Sequence, residues 1–127
     1  MAFVDIPTLN GEQIHISATA VYRVTRGIEG GGGPALTRVQ FGADSQLTPL
    51  SASAVADLLL KGGAKLIKLT APDDTEIFLS APLITVIRVA EPDGDPPAAH
   101  AAVTVAGRLQ FVKQTQAEVE QAIAAAG

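Results

Sequence analysis

The chain has no cysteine and no tryptophan, and its 127 residues include only four Phe and one Tyr. Without cysteine there is no disulfide framework, no thiolate metal site and no cysteine nucleophile. With so few aromatics, the core has to be Val, Ile and Leu, residues that favour strands. No run approaches ~18 apolar residues, so no membrane-spanning helix is expected. The opening Met-Ala-Phe-Val-Asp has neither a basic region nor a long apolar stretch. No secretory signal is expected from it, and the product reads as cytoplasmic.

A surplus of positive charge is also missing. The net charge is −4. Residues 1–62 carry four bases and five acids, and residues 63–127 carry five bases and eight acids. Nucleic-acid binders show a basic surplus or stripe. Here the bases are scattered along the chain, so no nucleic-acid partner is expected.

What is present is a repeat. Val4-Asp5-Ile6 through Ile14-His15-Ile16-Ser17-Ala18 recurs as Ile67-Lys68-Leu69 through Ile77-Phe78-Leu79-Ser80-Ala81, 63 residues later. Beyond the central loops the correspondence continues at 64 residues: Val39, Phe41, Leu47, Val55 and Leu59 match Val103, Val105, Phe111, Val119 and Ile123. Agreement in order, spacing and polarity across both halves points to duplication.

Within the first copy, Asn10-Gly11 reads as a type I′ hairpin turn between alternating strands. Ser17 to Ala20 is a short link, and Val21 to Arg26 a third strand. Gly30, Gly31, Gly32, Gly33 and Pro34 form a loop. Leu36 to Phe41 and Gln46 to Thr48 are strands, followed by a helix with Ser51 as its N-cap and Gly62-Gly63 as its stop. The second copy repeats this plan. Asp73-Asp74 stands in the turn, and the loop Glu91-Pro92-Asp93-Gly94-Asp95-Pro96-Pro97 is acidic and proline-rich. Thr115 and Glu118 form a capping box ahead of the last helix.

The fold class expected is therefore α+β, mostly β. It has two tandem pseudo-equivalent antiparallel β-meander units, residues 1–63 and 64–127, each ending in a helix and packed together about a pseudo-two-fold axis. The residues Thr8-Leu9-Asn10-Gly11-Glu12-Gln13-Ile14-His15-Ile16, Val39-Gln40-Phe41-Gly42 and Ser51-Ala52-Ser53-Ala54-Val55 give each unit a further meaning. The unit resembles the small flagellar-operon proteins of the FlbD type and similar short phage-encoded proteins. That resemblance implies a compact, non-enzymatic β-fold.

Candidate chemistry fails on spacing. Gly30–Gly33 is followed by Pro34-Ala35-Leu36 rather than the Lys-Ser/Thr of a phosphate-binding loop. Glu91, Asp93 and Asp95 lack the spacing of a calcium loop. His15 and His100 are the only histidines, and a zinc site usually takes about three or four ligands, with no Cys available here. No Gly-x-Ser-x-Gly elbow is present. No catalytic residue, metal or cofactor is expected.

The expected role is a structural or assembly protein. Its most concrete form is a capsid decoration or cement protein of a bacteriophage virion, located in the virion and bound to a major capsid or other virion protein. The alternative is a FlbD-like regulatory adaptor with one soluble protein partner. Contacts are expected from Gly30, Gly31, Gly32, Gly33, Pro34, Asp73, Asp74, Glu91, Asp93 and Asp95. Exposed strand edges and the Ala122–Gly127 tail also allow self-association.

Overall fold

The structure, a computed structural model, describes residues 3–26, 37–91 and 93–126. It is mostly β, with three antiparallel sheets and two α-helices among the described residues. The elements run β1 (Phe3–Pro7), β2 (Gln13–Ser17), β3 (Val21–Arg26), β4 (Thr37–Phe41), β5 (Asp44–Thr48) and α1 (Ala52–Lys61). They continue as β6 (Leu66–Thr70), β7 (Glu76–Ser80), β8 (Ile84–Val89), β9 (Ala101–Val105), β10 (Arg108–Val112) and α2 (Gln116–Ala126). Short 3-10 turns at Ala18–Ala20 and Ala81–Leu83 lead into β3 and β8. The Ser17–Ala20 stretch, expected to be a plain link, thus contains a helical turn.

Pairing does not respect the midpoint of the chain. A five-stranded sheet has the order β5-β4-β3-β7-β6, so strands from both halves share it. The joint is the β3–β7 ladder, where Arg23 lies opposite Leu79 and Val24 opposite Phe78. β1 and β2 form a separate ribbon, and β10-β9-β8 a separate three-stranded sheet.

Two apolar clusters fill the interior. Ile6, Ile16, Val21, Val24, Val39, Val55 and Leu59 belong to the first. Ile67, Leu69, Ile77, Leu79, Val103, Val105, Val112 and Val119 belong to the second. β7 lies between them: Ile77 and Leu79 point into the second cluster, and Phe78 into the first. β3 does the same in reverse. A register shift between Val21 and Arg23 lets Val21 and Val24 share the first cluster, while Tyr22 enters the second. An extra residue in one strand re-aims side chains in this way.

The helix ends follow local chemistry. The Ser51 hydroxyl accepts the Ala54 N–H at 3.2 Å. At the other end Ala64 N–H bonds Leu59 O at 3.0 Å and Gly63 N–H bonds Leu60 O at 3.1 Å. This is a Schellman stop, and Gly63 supplies its left-handed residue at φ +98°. Val55, Ala56 and Leu59 are buried, so this face of α1 packs on the first cluster, and Leu60 stays exposed. The capping box of α2 is formed at both bonds: Thr115 N–H to the Glu118 carboxylate at 3.0 Å, and Glu118 N–H to the Thr115 hydroxyl at 3.2 Å.

The first hairpin differs from expectation. A type I′ turn needs positive φ at both central residues, but of Asn10 and Gly11 only Gly11 has it, at +87°. Residues 8–12 instead form a wider loop, closed by Thr8 N–H to Glu12 O at 2.7 Å. The side chain of Asn10 is engaged by the Thr8 hydroxyl and by Glu12 N–H. That local bonding competes with the tight turn.

Candidate functional site

Gly30, Gly31, Gly32, Gly33 and Pro34 lie outside the described residues. The remaining candidates fall into two loops. Asp73 and Asp74 occupy the turn between β6 and β7, and Glu91, Asp93 and Asp95 the loop between β8 and β9. No hydrogen bond or ion pair among the described residues joins the two groups.

Two of these five carboxylates, Asp73 and Asp95, serve their own loops. Asp73 accepts from the Thr75 hydroxyl at 2.6 Å and the Thr75 N–H at 3.1 Å, which together hold its carboxyl below the usual range. Asp74 sits at φ +71° and pairs with Lys113. Asp95 accepts from Arg88 at 2.9 Å and from the Glu91 N–H at 2.7 Å. Arg88 first, and then the Glu91 amide, depress its carboxyl and keep it ionised. Glu91 and Asp93 remain exposed. The acidic loop is thus organised around Asp95, leaving Glu91 and Asp93 as its free negative groups.

The arginines are less scattered than the sequence suggests. Arg23, Arg26 and Arg38 line one cleft of about 320 Å³ together with Gln40, Asp73 and Gln110. Strand pairing sets Arg23 opposite Gln40, and Thr25 opposite Arg38. Arg23 donates to Gln40 Oε1 at 2.5 Å and Gln110 Oε1 at 2.9 Å, tying β3 to β10. Burial pushes the Arg23 guanidinium down from its ordinary value, opposed by the adjacent Tyr22. Arg38 donates to the Ser45 hydroxyl at 2.8 Å. The cleft is polar and internally bonded. Its arginines are separated along the chain, so only long-range strand pairing reveals the cluster.

Among the described residues, no group of three or more His, Asp or Glu side chains is placed to hold a metal ion. His15 is on the surface, paired with Asp5 directly across the β1–β2 ribbon. His100 bonds the Lys113 carbonyl at 2.6 Å.

Exposed apolar residues also lie beside free strand edges. Among the described residues, the outer edge of β8 and the edge of β2 away from β1 pair with no strand. On β8, Val89 is 62% exposed and Val86 48%; Phe3, on the adjacent β1, is 69% exposed. An unpaired edge presents a row of N–H and C=O groups ready to take another strand. Compared with known proteins, the chain matches no family model, no curated sequence and no solved structure.

Proposed function

We propose that this chain is a non-catalytic assembly protein that engages protein partners by strand addition at its open sheet edges. The observation that carries this reading is the division into three sheets, which leaves β2 and β8 unpaired on one side, with Val86 and Val89 exposed on β8 and Phe3 exposed on β1 beside β2. Strand addition combines main-chain hydrogen bonds with side-chain pockets. The most concrete form is an accessory component of a large particle, a decoration or cement protein of a bacteriophage virion. In that form the partner is a capsid subunit.

We also propose that the chain is a tandem duplication of pseudo-equivalent units. The order strand, strand, 3-10 turn, three strands and helix occurs twice, with equal element lengths except for one added residue in α2. Irregularities recur as well. The register shift at Val21/Arg23 has its counterpart at Ile84/Val86. The positive φ of Gly11 and Gly42 recurs at Asp74 and Ala106. Gln46 donates to the Leu47 carbonyl at 2.9 Å, and Gln110 to the Phe111 carbonyl at 2.8 Å.

Affinity capture of the tagged chain from its source, with mass spectrometry of what is retained, tests the assembly reading. Recovery of capsid or tail subunits in many copies supports it. Recovery of one soluble regulator favours the FlbD-like adaptor, the reading supported by the resemblance of Thr8–Ile16. Recovery of no protein partner sinks both.

A further inference from the structure

The internal β3–β7 joint has two sides, and the chain carries an unused counterpart of each. By position in the repeat, β8 corresponds to β3 and β2 to β7. β3 and β7 are paired with each other, whereas the corresponding edges of β8 and β2 carry no strand among the described residues, and on β8 the Ile87 carbonyl accepts from Gln116 Nε2 at 3.5 Å. We propose that a second copy of this chain occupies these edges, with β8 of one copy pairing head to tail with β2 of the next and repeating the internal joint between molecules. The inference rests on the duplication and assembly readings above.

Three details favour a second copy. First, β8 carries the register shift that β3 uses beside the joint. Ile84 and Ile87 therefore face the second cluster as Val21 and Val24 face the first. The two strands thus carry the same irregularity at equivalent positions. Second, the apolar residues of the free edges match those of the joint. Ile16 stands where Leu79 stands, and Ile87 where Val24 stands, giving Val86 opposite Ile16 and Ile87 opposite His15 as the intermolecular register. Third, Phe3 corresponds to Leu66. Leu66 packs against the first cluster across the joint, while Phe3 projects 69% exposed from β1. It is placed to make the equivalent contact on the next copy.

Val86 stands where Arg23 does, and two further substitutions make the free edges more polar than the joint. Tyr22 and Phe78, which cross the internal joint, are replaced by Thr85 and His15, both exposed. Polar residues on an edge strand weaken its pairing and restrain uncontrolled growth. The intermolecular contact is accordingly weaker than the internal one. Because the two surfaces differ, the association is heterologous and forms rings if the rotation closes and filaments otherwise.

The absence of cysteine gives a clean test. Residues directly opposite in antiparallel strands bring their Cβ atoms to roughly 4.5–5.5 Å, near disulfide range. His15→Cys and Ile87→Cys are made as separate variants, purified, mixed and oxidised, while wild type is sedimented over a concentration series. The expected result is a wild-type sedimentation coefficient that rises with concentration. The mixture should show a several-fold excess of the mixed cross-linked dimer over either variant alone. Val86→Lys, at an exposed site, should abolish the rise without unfolding the chain. A wild type that remains monomeric at ~1 mM, the weak end of the affinity scale, overturns the proposal. So does self-cross-linking of one variant as efficient as the mixture, because that signifies a two-fold contact. Either negative leaves the capture experiment standing, so failure here is distinct from failure of the assembly reading.

Discussion

Tyr22 and Phe78 exchange places across the chain's midpoint. Tyr22, from the N-terminal half, is buried in the cluster built by the C-terminal half, and Phe78 is buried in the cluster built by the N-terminal half. Their strands are adjacent, with Phe78 opposite Val24, the second residue after Tyr22. Neither core is complete without a side chain from the other half. A unit of about 60 residues buries too little surface to be robust alone, and the exchange joins two such units into one.

The exchange predicts a single cooperative unfolding transition. Phe78→Ala should cost about 3 kcal/mol, the usual range for emptying a buried aromatic site, and should lower the melting temperature while the transition remains single. Calorimetry checks both, by comparing the calorimetric and van't Hoff enthalpies. Two resolved transitions in the wild type would contradict a shared core.

Gly62 makes a prediction of the opposite kind, from close packing. A Cβ there would lie 2.7 Å from Ala18 Cβ and 2.8 Å from Val4 Cγ1. Helix α1 thus ends where the ribbon and the 3-10 turn press against it. Gly62→Ala should lower stability by about 1–3 kcal/mol through overpacking. Gly94→Ala, with nothing within 4 Å of the added carbon, should be close to neutral. Urea midpoints of the pair measure the contrast.

Ala106 occupies the turn between β9 and β10 at φ +50°, where the matching turn of the first half has Gly42 at φ +56°. Left-handed backbone costs an alanine about 1 kcal/mol or more. Ala106→Gly should therefore stabilise the chain by about 0.5–1 kcal/mol, since the relief of strain exceeds the added flexibility of the unfolded chain. A lower urea midpoint for this variant would show that the turn carries no strain.

Local features of this fold were legible in the sequence, and long-range ones were not. The apolar alternation of Ile14 and Ile16, the Ser51 cap and the Thr115–Glu118 box depend on neighbours a few residues away, and all are present. The Asn10-Gly11 turn departs from type I′ because Thr8 and Glu12 widen it through bonds to Asn10. The five-stranded sheet required knowing that β3 pairs with β7, a choice that strand periodicity does not encode. The arginine cleft was hidden for the same reason: Arg23 and Arg38 meet only through the β3–β4 register. Of the candidate contact residues, Asp73 and Asp95 have structural duties that composition alone could not distinguish from binding.

Those duties set a direction for pH dependence. Asp73 is depressed by the Thr75 hydroxyl and amide, Asp95 by Arg88 and the Glu91 amide, and Glu118 by the Thr115 amide and hydroxyl. A carboxyl whose folded-state pKa lies below its unfolded value, roughly 3.9 for Asp and 4.3 for Glu, contributes fully above the unfolded value. Its contribution declines as pH falls through that value and is gone below the folded one. All three groups act in the same sense, so the urea midpoint should fall on acidification below about pH 5. Asp73→Asn, Asp95→Asn and Glu118→Gln should each lower the midpoint at neutral pH and make the acid limb shallower. Asp95→Asn should also release the loop between β8 and β9, seen as faster amide exchange at Glu91, whose N–H the carboxylate holds. An acid limb of unchanged slope in the triple variant would mean that other carboxylates govern acid unfolding.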